Sequence, residues 1–238
     1  MIEEFKKYVE TFDINEPAIL KKYTHSLRVK KRSEEIAQSE NFNKENYELA
    51  SAIGLLHDIG RFYQWHKYQT FEDRVSIDHG DYGAEELMGK NLIEKFYSKK
   101  ENYPIIYEAV KYHNKYSIPD NVKSEKLCNL IRDADKIDII YMYKIKELNI
   151  SDEGEISKGV EENFLKEKLV NNKDINSKAD ICLRTLSLIY DLNYKYSYEY
   201  LKKENIIESL YNQISDKEKM KKYFKKTNEF IERRCQEC

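Results

Sequence analysis

Apolar positions recur every third or fourth place along most of the chain, the spacing of helices that turn one face inward. In PAILKKYTHSLRVKKRSEEIA, Leu20, Tyr23, Leu27 and Ile36 can share such a face behind Pro17, which predicts a helix over about 17–39. NKENYELASAIGLLHDIG predicts a second helix, with Asn43 as N-cap, His57 and Asp58 in its last turn and Gly60 as its stop. The period is then lost, so 61–79, RFYQWHKYQTFEDRVSIDH, reads as a long ordered loop, a feature that is often functional. Helical patterning returns in DYGAEELMGKNLIEKFY, YPIIYEAVKYH and SEKLCNLIRDADKIDIIYMYKIKEL. The stretch 151–176 is polar around one short helix. Three Tyr-rich helical segments follow, ICLRTLSLIYDLNYKYSYEYL, IIESLYNQI and KEKMKKYFKKTNEFIERR.

Seven glycines and three prolines offer few turns for short strands, so the predicted fold class is all-α. We read 1–238 as a single domain, with a core over about 17–148 and a C-terminal extension over about 149–238 packed on it. Lys+Arg 41 against Asp+Glu 43 gives a net charge of −2, which lacks the basic footprint of a dedicated nucleic-acid binder. The twenty tyrosines could stack bases, but amphipathic helix packing explains them as well. No apolar run reaches membrane-spanning length, and MIEEFKKYVE is not a signal peptide, so a cytoplasmic protein is expected. Cys128, Cys182, Cys235 and Cys238 form no spaced framework, and the lone CxxC of the last pair is weak as a zinc motif.

Candidate chemistry concentrates in the five histidines. A single histidine on an apolar helix face is usually a packed, hydrogen-bonded one. Here His25 shares a face with Val29 and Ile36, His57–Asp58 follows Leu55–Leu56, and His113 falls three residues after Val110. In IRDADKID, Asp135 lies four residues from Ile131 and eight from Leu127, an inward position, while Asp133 follows Leu130 and precedes Ile137. A buried carboxylate without a partner costs several kcal/mol, so an inward Asp beside inward histidines asks for a cation or an ion pair.

The order His25, His57–Asp58, then an Asp of DADKID resembles the H…HD…D signature of the HD-domain metal-dependent phosphohydrolases, over roughly residues 20–145. The resemblance implies a helical bundle with His25, His57, Asp58 and Asp135 as metal ligands. SIDHGDYGAEEL and AVKYH also resemble the HD-GYP branch, which nominates His79 and His113 for a second ion and leaves His66 over. His113 is followed by NKYSIPDNV and not by a GYP stretch, so cyclic-dinucleotide hydrolysis is not implied.

What the resemblance implies chemically is one or two divalent ions, manganese, iron, cobalt, nickel or zinc, given mixed imidazole and carboxylate ligands. Asp58 would bridge them and a water would be activated for attack on a small phosphorylated substrate, a nucleotide being the favoured class. Arg61, three residues beyond Asp58, is a catalytic and substrate-binding candidate with a helix-terminal cation as the alternative, and Lys115 and Lys136 are weaker phosphate binders. Tyr63, Trp65, Tyr68 and Phe71 could form a lid, stack a base or simply pack. The same ligands would also suit a di-iron oxygenase or a non-catalytic binding module, so the fold leaves the reaction open.

Overall fold

The computed structural model describes residues 1–89 and 91–237. Its described residues form helices, turns and loops, without strands, as an all-α chain should. In order these are α1 (Ile2–Val9), α2 (Pro17–Ser39), α3 (Lys44–Leu56), α4 (Ile59–Tyr68), α5 (His79–Gly89), α6 (Tyr103–Tyr112), α7 (Glu125–Lys144), α8 (Lys158–Leu165), α9 (Lys178–Ser187), α10 (Lys195–Lys203), α11 (Ile206–Tyr211) and α12 (Lys217–Glu237). None of the described helices is long and apolar enough to cross a membrane. The chain divides within α7 into two compact units, Met1–Asp135 and Lys136–Cys238.

In the first unit α2 lies along α3, α4 against α5 and α5 against α6. Pro17 opens α2, and the Asn43 side chain caps α3 by accepting from the Asn46 amide at 2.9 Å. Leu49, Ile53, Leu56, Ile59, Phe62, Ile106 and Ile131 are fully or almost fully buried, and burial of each such side chain contributes about 1.5–3 kcal/mol. In the second unit Phe164, Leu186, Tyr198, Leu210 and Phe224 share one core. The tyrosine hydroxyls there are used in ordinary packing: Tyr198 donates to Leu192 O at 2.6 Å and Tyr223 to Glu161 at 2.5 Å.

Two expectations about local structure are corrected. Leu20 was expected inward but is 46% exposed; the buried face of α2 runs through Ile19, His25, Ser26, Val29, Ser33 and Ile36. The small residues explain the rotation, since a Cβ on Gly54 of α3 would come within 2.5 Å of Ser33 Oγ, so the two helices meet on their smallest side chains.

The second correction concerns Gly60 and the loop 61–79. α3 ends at Leu56, Asp58 (φ −100°, ψ 17°) forms a bend, and the chain re-enters a helix at Ile59 that runs to Tyr68. Gly60 is therefore inside α4. It is required by close packing, because a Cβ there would lie 2.3 Å from His79 O and 2.9 Å from Gly83 N of α5. Aromatic rings on several sides of α4 concealed its period. Phe62 is buried, while Tyr63 stacks on Tyr82 (4.5 Å between centroids, 10°) and Trp65 packs on Phe71 (4.9 Å).

Candidate metal centre

Six side chains from separate points of the first unit converge on one place. His25 comes from mid-α2, His57 from the end of α3, Asp58 from the bend before α4, His79 from the first turn of α5, His113 from the residue after α6, and Asp135 from α7. The short α3–α4 bend lets adjacent residues point both groups into the cluster, while the packing of α4 on α5 at Gly60 brings His79 alongside.

The cluster has two halves joined by Asp58. On one side His25 Nε2 lies 3.3 Å from His57 Nε2 and 3.1 Å from Asp135 Oδ1, and both rings stand 3.6 Å from Asp58 Oδ2. On the other side His79 Nε2 lies 3.1 Å from His113 Nε2, and these rings stand 3.3 and 3.6 Å from Asp58 Oδ1. One carboxylate thus gives a separate oxygen to each histidine pair.

Hydrogen bonds behind the rings decide what the rings present. His57 Nδ1–H donates to Gly54 O at 3.0 Å and His113 Nδ1–H to Val110 O at 2.6 Å. His79 Nδ1–H donates to Asp73 Oδ2 at 2.7 Å. A neutral imidazole has one N–H, so His57, His79 and His113 each direct a bare Nε2 lone pair at the cluster. His79 and His113 then face each other with lone pairs 3.1 Å apart, a contact that is repulsive until a cation lies between them.

Protonation of His79 does not supply that cation. Burial, reinforced by the Arg61 guanidinium, pushes the His79 pKa down to about 4, against the pull of Asp73 and Asp58. Burial likewise lowers His57. Burial alone would raise Asp58, but the Lys22 ammonium holds it well below the usual carboxylate range; Asp135 is held low chiefly by its hydrogen bond with His25. Neutral imidazoles and ionised carboxylates are the protonation states in which these residues bind divalent metals. Metal–ligand bonds of about 2.0–2.2 Å place neighbouring donors about 3.0–3.5 Å apart, close to the separations found here. The donor set therefore fits transition-metal ions, and His25, His57 and Asp135, with His57, Asp58 and His113, are groups able to hold one.

The match with known proteins agrees. Residues 23–140 match the family model of the HD domain, about half of the chain. This chain belongs to the HD-domain family. No curated protein and no solved structure matches it. HD domains are in general metal-dependent phosphohydrolases, and this HD domain contains a histidine and aspartate cluster of the corresponding kind.

Around the HD cluster lie charges that the sequence pattern did not single out. Lys22, one turn before His25, bonds Asp58 Oδ2 at 2.7 Å. Asp73 accepts from His79 and pairs with Arg61 at 2.8 Å, and Asn114 donates to Asp73 at 3.3 Å and Asp78 at 3.0 Å. Arg132, one turn before Asp135, donates to the carbonyls of Tyr112, Lys115 and Tyr116 and so secures the turn that carries His113. Spacing could have flagged Lys22 and Arg132, each three residues from an expected ligand; Asp73 had no such signal.

The expected phosphate binders are placed differently. Arg61 stands 3.5 Å from Asp58 Oδ1 and is tied to Gln64 Oε1, Phe71 O and Asp73. Lys115 is paired with Asp78 at 2.5 Å and Asp81 at 3.0 Å, and Lys136 with Asp191 at 2.6 Å. Of the aromatic residues, Tyr63, Trp65 and Tyr68 belong to α4, and Phe71 alone lies in the following loop. His66 packs edge-on against Phe12 at 5.8 Å. Of the C-terminal CxxC, Cys235 is half-buried and Cys238 lies outside the described residues.

Proposed function

We propose that the cluster holds two divalent transition-metal ions and that the protein hydrolyses a phosphate ester of a small molecule, a nucleotide being the class we favour. In this reading His25, His57 and Asp135 would hold one ion and His79 and His113 the other, with Asp58 contributing to both. The observation that carries it is the division of Asp58, whose two oxygens face different histidine pairs. When bound, such ions polarise a phosphoryl group and lower the pKa of water enough to supply a nucleophile at neutral pH.

The chain's own residues prepare that chemistry. Gly54 O, Val110 O and Asp73 each fix one imidazole in the tautomer that leaves Nε2 open, which also raises its basicity as a ligand. Arg61 is a positioning residue here: it steadies Asp58 and, through Asp73, the ring of His79. Lys115 and Lys136 take no part, being committed to their aspartates. A cytosolic setting and a single functional domain over 1–238 belong to the same proposal.

Elemental analysis paired with a phosphatase and phosphodiesterase panel, on wild type and His79→Ala, tests it. The expected result is two metal equivalents in the wild type, and loss of one equivalent together with activity in the variant. Two metals retained by His79→Ala would refute His79 as a ligand, and a metal-loaded wild type that releases no phosphate from any substrate would refute the hydrolase. Because all six ligands are present, an iron-loaded protein whose optical spectrum changes with oxygen and substrate would move the reading to the di-iron oxygenase.

A further inference from the structure

Asp58 is shared by two cations as well as by two histidine pairs. Arg61 Nε reaches its Oδ1 at 3.5 Å, and Lys22 Nζ its Oδ2 at 2.7 Å. The two are held in different ways. Arg61 is locked by a side chain, a main-chain carbonyl and a second carboxylate, Gln64, Phe71 O and Asp73. For Lys22, the polar partner among the described residues is Asp58, and its ammonium also lies 5.3 Å from the Phe71 ring centre. Its side chain is 18% exposed, against 3% for Asp58, so it stands between the cluster and solvent.

The oxygen that Lys22 occupies is the one facing His25 and His57. An ammonium and a divalent ion on the same carboxylate oxygen repel each other, and of the two the ammonium, on a flexible four-carbon stem, is the one that can move aside. Its stem is rooted on α2 one turn from His25, so a displaced ammonium remains within a side chain's length of the cluster, on its solvent side. That is the place where an incoming anion meets it.

We infer that Lys22 is the counterion of Asp58 in the metal-free protein and that, once an ion sits on His25, His57 and Asp135, it releases Asp58 and binds the phosphate of the substrate. This rests on the phosphohydrolase reading given above. Lys22 lies just outside residues 23–140, so the family match does not assign it.

The proposal requires effects of opposite sign, which a merely structural lysine would not produce. Removing the charge takes away both a competitor for Asp58 and a repulsion, so metal should bind more tightly; it also removes an anion ligand, so phosphate should bind more weakly. Metal-stripped full-length wild type, Lys22→Met and Lys22→Arg are titrated calorimetrically with Mn²⁺, and the Mn²⁺-loaded proteins then with inorganic phosphate. In Lys22→Met, Mn²⁺ affinity should rise about tenfold and phosphate affinity fall about tenfold, while Lys22→Arg keeps phosphate affinity within about threefold of wild type. Should Lys22→Met fail to fold, Lys22→Gln carries the same two expectations. Unchanged or weaker Mn²⁺ binding, or unchanged phosphate binding, in the neutral variant overturns the role of Lys22 and leaves the two-metal reading standing. A wild type that binds no Mn²⁺ overturns both.

Discussion

Asp180, in the Lys136–Cys238 unit, accepts hydrogen bonds from the Ser157 amide at 2.8 Å, the Ser157 hydroxyl at 2.7 Å and the Asn176 amide at 2.9 Å. Asp58, in the Met1–Asp135 unit, is as deeply buried but faces four imidazole Nε2 atoms at 3.3–3.6 Å, with a lysine at its edge. Both are buried carboxylates held ionised. Donors of the chain itself satisfy the first, whereas three of the rings around the second offer bare lone pairs. Burial of an acid is thus no signature of a metal site; what matters is whether its neighbours give protons or withhold them.

The largest expected effect comes from exchanging the two carboxylates for amides. Asp58→Asn should lose both metal equivalents and reduce phosphate release by more than about 10³-fold while the protein stays folded. Asp180→Asn should leave the metal content unchanged and cost about 2–3 kcal/mol of stability in denaturant titration, because its amide NH₂ would meet donors. If Asp180→Asn stripped the metal, or Asp58→Asn only destabilised, the contrast between the units would be broken.

Acid should separate the units next. His79 has a folded-state pKa of about 4, below the unfolded value near 6.5, so the unfolded chain takes up the proton first as pH falls. Its contribution to stability is complete above pH 6.5 and is lost progressively as pH falls from there to 4, by about 3 kcal/mol for the metal-free protein. His57, lowered in the same direction, adds to the loss. The aspartates lose theirs only at lower pH, since their folded pKa values are depressed below an ordinary carboxylate value. Amide exchange followed from pH 7 to 4.5 should therefore show the first unit loosening before the second; simultaneous loosening would count against neutral, buried imidazoles as the difference between them.

The smallest effect sharpens the role of the residues behind the rings. Asp73→Asn replaces the carboxylate that holds the His79 Nδ1 proton with a neutral amide, and should weaken one metal equivalent about 10–100-fold without abolishing it. Calorimetric metal titration distinguishes this from the full loss expected for His79→Ala.

Much of this was legible along the chain. Pro17 and Asn43 start helices where expected, and Asp135, preferred to Asp133 for its helix face, stands 3.1 Å from His25 Nε2. The failures have particular causes. Gly60 carries the same letter whether it ends a helix or admits another backbone, and only α5, distant in sequence, shows which. Leu20 looked inward because the period fits more than one face, and the small residues of α2 and α3 chose between them.

The sequence by itself determined an all-α chain and the order His25, His57–Asp58, Asp135, since helix periodicity and motif order are properties of neighbours along the chain. The tertiary structure alone decided that Asp58 turns one oxygen to each histidine pair, that three rings point bare nitrogens inward, and that Lys22 and Asp73 belong to the same place. Tautomer, counterion and ligand geometry depend on groups that meet from different helices, and those meetings exist only once the helices have packed.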